Sequence, residues 1–169
     1  MASFDLFLSM SEELCWIPTY YLRGTGFADT YWDTALEIIG TDLMDRLLAS
    51  YGSLPTCCRP DRNVAIRADL LSDDEFGPVV RNIIKIWFEA VWFELPEEWH
   101  RNYKVVGVDR TFVPKDKDKG YAYPESLLGP AVGAHPAGAK PTGHQAWVSP
   151  PEYLPFAEDK FPAECIKAN

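Results

Sequence analysis

Between residues 75 and 93 the chain reads EFGPVVRNIIKIWFEAVWF, and no other stretch constrains the fold as strongly. Counted from Phe76, the apolar residues Phe76, Val79, Val80, Ile83, Ile84, Trp87, Ala90 and Val91 recur at the three- and four-residue steps of one helical face. Arg81, Asn82, Lys85 and Glu89 are expected on the opposite, wet side. Ile86, Phe88, Trp92 and Phe93 widen the stripe, so the helix is apolar around most of its circumference toward its C-terminal end. One side of a chain of 169 residues does not easily cover that much aromatic surface. The helix is therefore either central to the domain or also turned toward a second protein.

Its ends are signalled. Ser72-Asp73-Asp74-Glu75 has the Ser-x-x-Glu form of a capping box, and its acidic residues suit the positive end of the helix dipole. Pro78 falls in the first turn, where a missing N–H costs least. Pro96 is expected to set the stop, because a proline disfavours helix at the residue before it.

The rest of the chain reads as a helical body over residues 1–102 and an extended arm over 103–169, together one domain. Residues 4–14 predict a short helix, and 15–22, CWIPTYYL, an extended or irregular segment interrupted by Pro18. Gly24-Thr25-Gly26 breaks the chain. Helices follow over 30–39, with Asp29 as N-cap, and over 42–51, with Leu43, Met44, Leu47 and Leu48 at helical spacing. Residues 62–71 predict a further helix leading into the central one, and Pro96 starts a last short turn. Residues 104–113 suggest one short strand, and 115–119, alternating Lys and Asp, a solvated turn. Eight of the fourteen prolines then fall between Pro124 and Pro162, which no long helix tolerates. Tyr121, Tyr123, Leu127, Leu128, Val132, Trp147, Tyr153, Leu154 and Phe156 are nonetheless there to be buried. That combination predicts an ordered arm lying along a surface, its own or a partner's. The fold class is mainly α.

A net charge of −9 argues against nucleic acid and against an anionic membrane surface. No apolar run approaches the roughly 20 residues of a spanning helix. No basic residue precedes Arg23, so no secretory leader is expected. Cys15, Cys57, Cys58 and Cys165 are too few for a disulfide scaffold and contain no Cys-x-x-Cys pair. Cys57 and Cys58 are expected to split into one buried and one exposed thiol. Cys165 is the candidate for an inter-chain thiol.

Chemistry is hard to find. Gly24-Thr25-Gly26-Phe27-Ala28-Asp29 has two glycines of a dinucleotide fingerprint but Asp where the third belongs, and reads as a turn before a helix. His100, His135 and His144 lack partners at metal-ligand spacing, and His100 and His144 are expected to be exposed. His135, in GAHPAGAKPTG, reads as a loop histidine bonded to backbone, with a general acid–base or flavin-facing role as the sharper alternative. Nothing assembles into nucleophile, base and oxyanion donor. The residues read as those of a helical domain that binds something, with neither a metal nor a cofactor of its own.

Several segments together resemble a known family. Asp74-Glu75-Phe76-Gly77-Pro78, the helix carrying Ile84-Lys85-Ile86-Trp87-Phe88 and Trp92, Tyr123-Pro124-Glu125-Ser126-Leu127, and Gly133-Ala134-His135-Pro136-Ala137-Gly138-Ala139, with Trp147 and Pro150-Pro151, resemble the small (gamma) subunit of bacterial FAD-dependent sugar and polyol dehydrogenases. The likeness is best over residues 62–93 and 121–151. It implies a non-catalytic chain that binds, stabilises and helps mature a large FAD-containing subunit of the glucose–methanol–choline oxidoreductase type. A cytochrome c subunit or other acceptor then takes the electrons. Contacts with that partner are expected from Trp87, Trp92, Tyr123, His135, Pro136 and Trp147. The family's compartment is the periplasm, reached by a twin-arginine signal that this sequence does not show: either the chain has been trimmed, or its partner supplies the signal, or the complex stays in the cytoplasm. The alternative is a free-standing helical domain that binds a small ligand or a protein.

Overall fold

The structure, a computed structural model, describes residues 3–56, 59–103, 105 and 113–134. Among them the chain is mainly α, with eight α-helices and one two-stranded hairpin. Helix α1 (Ser3–Cys15), α3 (Ala28–Ile39) and α4 (Thr41–Ser53) form where apolar residues recur at helical spacing. Their inward faces carry Phe7, Leu8 and Met10; Tyr31, Ala35 and Ile38; and Leu43, Met44, Leu47 and Leu48. All of these belong to one continuous core.

Helix α2 (Thr19–Gly24) occupies part of the segment expected to be irregular. Pro18 starts it: its φ of −57° suits a helix entrance, and its carbonyl accepts the N–H groups of Tyr21 and Leu22 at 2.9 and 3.1 Å. The missing cap comes from another helix. The Glu12 carboxylate, buried on α1, accepts the Thr19 N–H at 3.0 Å and also the Thr19 hydroxyl. Gly26, at φ 76°, then makes the expected turn into α3.

Helix α5 (Arg59–Ala65) runs on into a π-helical turn, Ile66–Leu71. Behind it lies a buried polar cluster. Arg62 Nε donates to Glu13 Oε2 at 2.5 Å, and the Tyr51 hydroxyl donates to Glu13 Oε1 at 2.7 Å. Arg62 Nη1 also reaches the carbonyls of Leu54 and Pro55 at 3.2 and 3.1 Å. The cluster binds α1, α4, α5 and the intervening loop together.

The central helix, α6, spans Phe76–Glu89 and packs against α1, α3 and the π turn. Its cap is one residue later than expected. Asp73 Oδ1, not Ser72, accepts the N–H groups of Glu75 and Phe76 at 2.8 and 2.7 Å. It also stops well before Pro96, because Ala90 turns left-handed (φ 53°, ψ 37°). The buried face carries Val79, Val80, Asn82, Ile83, Ile86 and Trp87. Asn82, expected on the wet side, is therefore inside, and Ile86, expected to widen the apolar stripe, is fully buried. Burying each large apolar side chain here is worth about 1.5–3 kcal/mol.

Glycine is required at one point of this packing. A Cβ on Gly77 would lie 2.6 Å from the Leu71 carbonyl oxygen, so the π turn and α6 approach each other only because that atom is missing. Arg81 Nη1 donates to the same oxygen at 2.8 Å. Helix α7 (Glu97–Tyr103) follows, and its Trp99 Nε1 donates to the Glu75 carbonyl at 2.8 Å, closing the base of α6. His100, expected outside, is half-buried, with Nδ1 3.2 Å from the Val105 carbonyl.

Candidate interaction face

After α7 the described chain resumes in the hairpin of β1 (Lys115–Asp116) and β2 (Gly120–Tyr121), which pair antiparallel. The alternating Lys and Asp do make a turn, for a definite reason. Asp116 Oδ1 accepts the N–H groups of Asp118 and Lys119 at 2.9 and 3.0 Å, and Gly120 supplies a φ of 84°. Those two N–H groups hold the Asp116 carboxyl below the usual carboxylate range. The hairpin is fastened to the helical body at its tip. Thr30 Oγ1 donates to Asp116 Oδ2 at 3.2 Å, and Lys119 Nζ donates to the Gly26 carbonyl at 2.5 Å.

The chain then makes a 3-10 turn, Tyr123–Glu125, and the short helix α8, Leu128–Ala131. Two side chains plug this segment into the core: Ala122 and Leu127 are 0% and 3% exposed. The Leu127 N–H donates to the Trp87 carbonyl at 3.1 Å, at the C-terminal end of α6. With those two turned inward, their neighbours turn out. Tyr121, Tyr123, Leu128 and Val132 are 59%, 55%, 49% and 71% exposed. Sequence reasoning expected all four to be buried, against the chain's own body or a partner's, and the chain's own body does not cover them. A short segment pinned at two points has too little chain to hide every apolar side chain it carries.

Two concavities lie along the 123–132 segment, and Tyr123, Leu128 and Val132 border the first. A groove of about 470 Å³ lies between the end of α6, with Phe88 and Val91, and the outer segment, with Tyr123, Leu128 and Val132. A second recess of about 320 Å³, which shares Ser126 with the groove, opens between the same segment and α2. Tyr20 and Tyr21 form one wall of it, and Glu125, Ser126 and Leu127 the other. Tyr20 is itself 68% exposed and extends the aromatic surface. Behind it, burial and then the negative charge of Glu125 push the Tyr31 hydroxyl well above the ordinary tyrosine range.

The residues expected to meet a partner are scattered by this arrangement. Trp87 and Trp92 are 0% and 2% exposed and lie within the chain's own core. The Trp87 ring stands edge-on to Tyr31, with centroids 4.8 Å apart. As folded, neither has surface to offer another molecule, so the surplus apolar area expected of α6 is covered from within. Tyr123 does lie on the outer face. His135, Pro136, Trp147 and Cys165 lie outside the described residues, as do Cys57, Cys58 and His144. Sequence reasoning missed Tyr20, Leu128 and Val132 as surface residues. The one available signal was Pro130 between Leu128 and Val132, which keeps α8 too short to turn one face fully inward.

Among the described residues no group of three or more His, Cys, Asp or Glu side chains is placed to hold a metal ion, and no helix is long and apolar enough to cross a membrane. A scan against protein-family models and searches of curated proteins and of solved structures found no match to this chain.

Proposed function

We propose that this chain is a non-catalytic accessory subunit that binds and stabilises a large FAD-containing sugar or polyol dehydrogenase subunit. The observation that carries the reading is the outer face of residues 121–132. Tyr123, Leu128 and Val132 stand exposed along one apolar groove, with Tyr121 exposed two residues before Tyr123, and such patches on a small domain mark interaction sites. The same stretch includes Tyr123-Pro124-Glu125-Ser126-Leu127, one of the segments on which the family resemblance rests. Partner contact is thus assigned in this reading to this face and not to Trp87 and Trp92, which are buried. The flavin and the hydride chemistry belong to the partner in this reading, and a cytochrome or other acceptor takes the electrons from it.

The test is purification of the tagged chain from its own host. A flavoprotein of large-subunit size should accompany it, with flavin absorbance and sugar-dependent reduction of an artificial electron acceptor. Replacing Tyr123 by Ser together with Val132 by Asp should remove that flavoprotein while leaving the chain's circular dichroism unchanged. A flavin-free monomer from the native host would overturn the reading.

A second reading draws on a different observation. The core closes on itself around Trp87, Trp92 and Trp99, as it would in a free-standing binding domain. The flavin-free monomer is the result that reading requires.

A further inference from the structure

We infer that the apolar groove of the outer face takes a partner segment that sets a lysine or arginine between apolar side chains. The inference rests on the reading of residues 121–132 as an interface, and adds the chemistry of what that interface receives. A volume of about 470 Å³ holds a few side chains, as a groove for a docked segment does.

Three features select a basic side chain. Glu89, half-buried, is the only carboxylate among the described residues that line the groove, and no lysine, arginine or histidine lines it. Among the described residues no ion pair satisfies Glu89 from within the chain. Lys85, one turn earlier on α6, instead holds its ammonium over the Phe93 ring, 4.6 Å from the centroid. Glu89 is also the last residue of α6, and the last turn of that helix has no basic residue. A carboxylate at the negative end of a helix dipole is misplaced for folding, so a cation brought from outside answers both the side chain and the dipole. The third feature is the wall. Phe88, Val91 and Leu128 offer apolar surface to a methylene stem, and Tyr123, 55% exposed, supplies an aromatic ring of the kind that attracts a charged head.

Other occupants fit less well. A second copy of the chain would set its own net charge of −9 against this one. The chain's own residues 135–169 hold three lysines against four carboxylates, so they bring no net positive charge. A basic and apolar segment of another protein meets both the charge of the groove and its walls.

The test uses the tagged full chain with the protein that it retains from its native host, released from the immobilised chain at low and at high salt. Glu89→Gln keeps the shape and removes the charge. It should speed dissociation at low salt about tenfold, the loss of one charge-assisted contact, and should flatten the dependence on salt. Glu94→Gln, which removes an exposed carboxylate outside the groove, should change neither. The free Glu89→Gln chain should melt no lower than the parent, since the lost charge opposed the helix dipole. Weaker binding at undiminished stability is a result that a purely structural Glu89 would not give. Carbodiimide joins a carboxylate to a lysine in contact with it, and coupling of Glu89 to a lysine of the retained protein would support the inference and locate the segment. A flavoprotein that leaves the parent and Glu89→Gln at equal rates, with equal salt dependence, would overturn the inference and leave the proposed function standing. A retained protein without flavin that depends on Glu89 would support the inference and overturn the proposed function. Coupling of Glu89 to a lysine of this same chain would overturn the inference, and a chain recovered alone would overturn both.

Discussion

The side-chain amide of Asn82 pairs with both backbone groups of Phe93. Asn82 Nδ2 donates to the Phe93 carbonyl at 2.9 Å, and the Phe93 N–H donates to Asn82 Oδ1 at 3.1 Å. The chain leaves α6 at Ala90 and doubles back, and this pair holds the returning strand against the helix as a ladder rung would. Asn82 is 3% exposed, so neither group of Phe93 has an easy substitute in water. Asn82→Leu leaves both unpaired and should cost about 2–4 kcal/mol, read as a lower urea midpoint at unchanged slope.

Gly77→Ala tests the approach of the π turn to α6. The new methyl carbon would meet the Leu71 carbonyl at 2.6 Å, and backbone on both sides must give. A loss of about 1–3 kcal/mol is expected, although alanine is the better helix former. An unchanged or higher melting temperature would contradict the packing described.

Arg62 and Glu13 should behave as a buried pair. Their side chains are 7% and 16% exposed. Removing one charge, as in Arg62→Met or Glu13→Gln, should cost roughly 3 kcal/mol or more, whereas replacing both by apolar residues should recover most of the loss. A double-mutant cycle in denaturant measures the coupling.

Acid should release the hairpin late. The Asp118 and Lys119 N–H groups depress the Asp116 carboxyl in the folded chain, so its contribution is fully present above the unfolded value of 3.8 and fades as pH falls through the lower folded value. The amide shifts of Asp118 and Lys119 should titrate with a midpoint below that of an ordinary aspartate. Asp116→Ala should abolish the titration and weaken the attachment to Thr30.

The outer face separates binding from folding. Tyr123→Ser and Val132→Asp remove exposed side chains and should shift stability by no more than about 0.5 kcal/mol. If the face is an interface, one of them should weaken association by about 2 kcal/mol or more. Trp87→Ala should do the opposite: about 3–5 kcal/mol of folding stability lost, from a residue that touches only its own chain.

Periodicity made the helices of the body legible, since the apolar spacing of α1, α3, α4 and α6 admits few other folds. What it left out lies in tertiary contacts. Asn82 is polar and falls with Arg81, Lys85 and Glu89, so spacing alone puts it in water; only the returning chain at Phe93 gives it a buried use. Ser72 and Asp73 are both good caps, and local sequence does not choose between them. Helix α2 depends on a carboxylate seven residues upstream on a different helix, which no local pattern announces. The outer face misled for a simpler reason. Composition says which side chains prefer burial, but two anchors, Ala122 and Leu127, decide how few of their neighbours obtain it.

An α-helix leaves its last four carbonyls without partners of its own. At the end of α6 the Trp87 carbonyl is one of these, and it is the Leu127 amide, forty residues further along, that satisfies it. The segment bearing the exposed tyrosine and valine is thus also the stopper of the innermost rod. A chain cut short before Leu127 would lose more than a contact surface: a bare oxygen would face greasy neighbours at the rod's final turn, and the centre would loosen from that end.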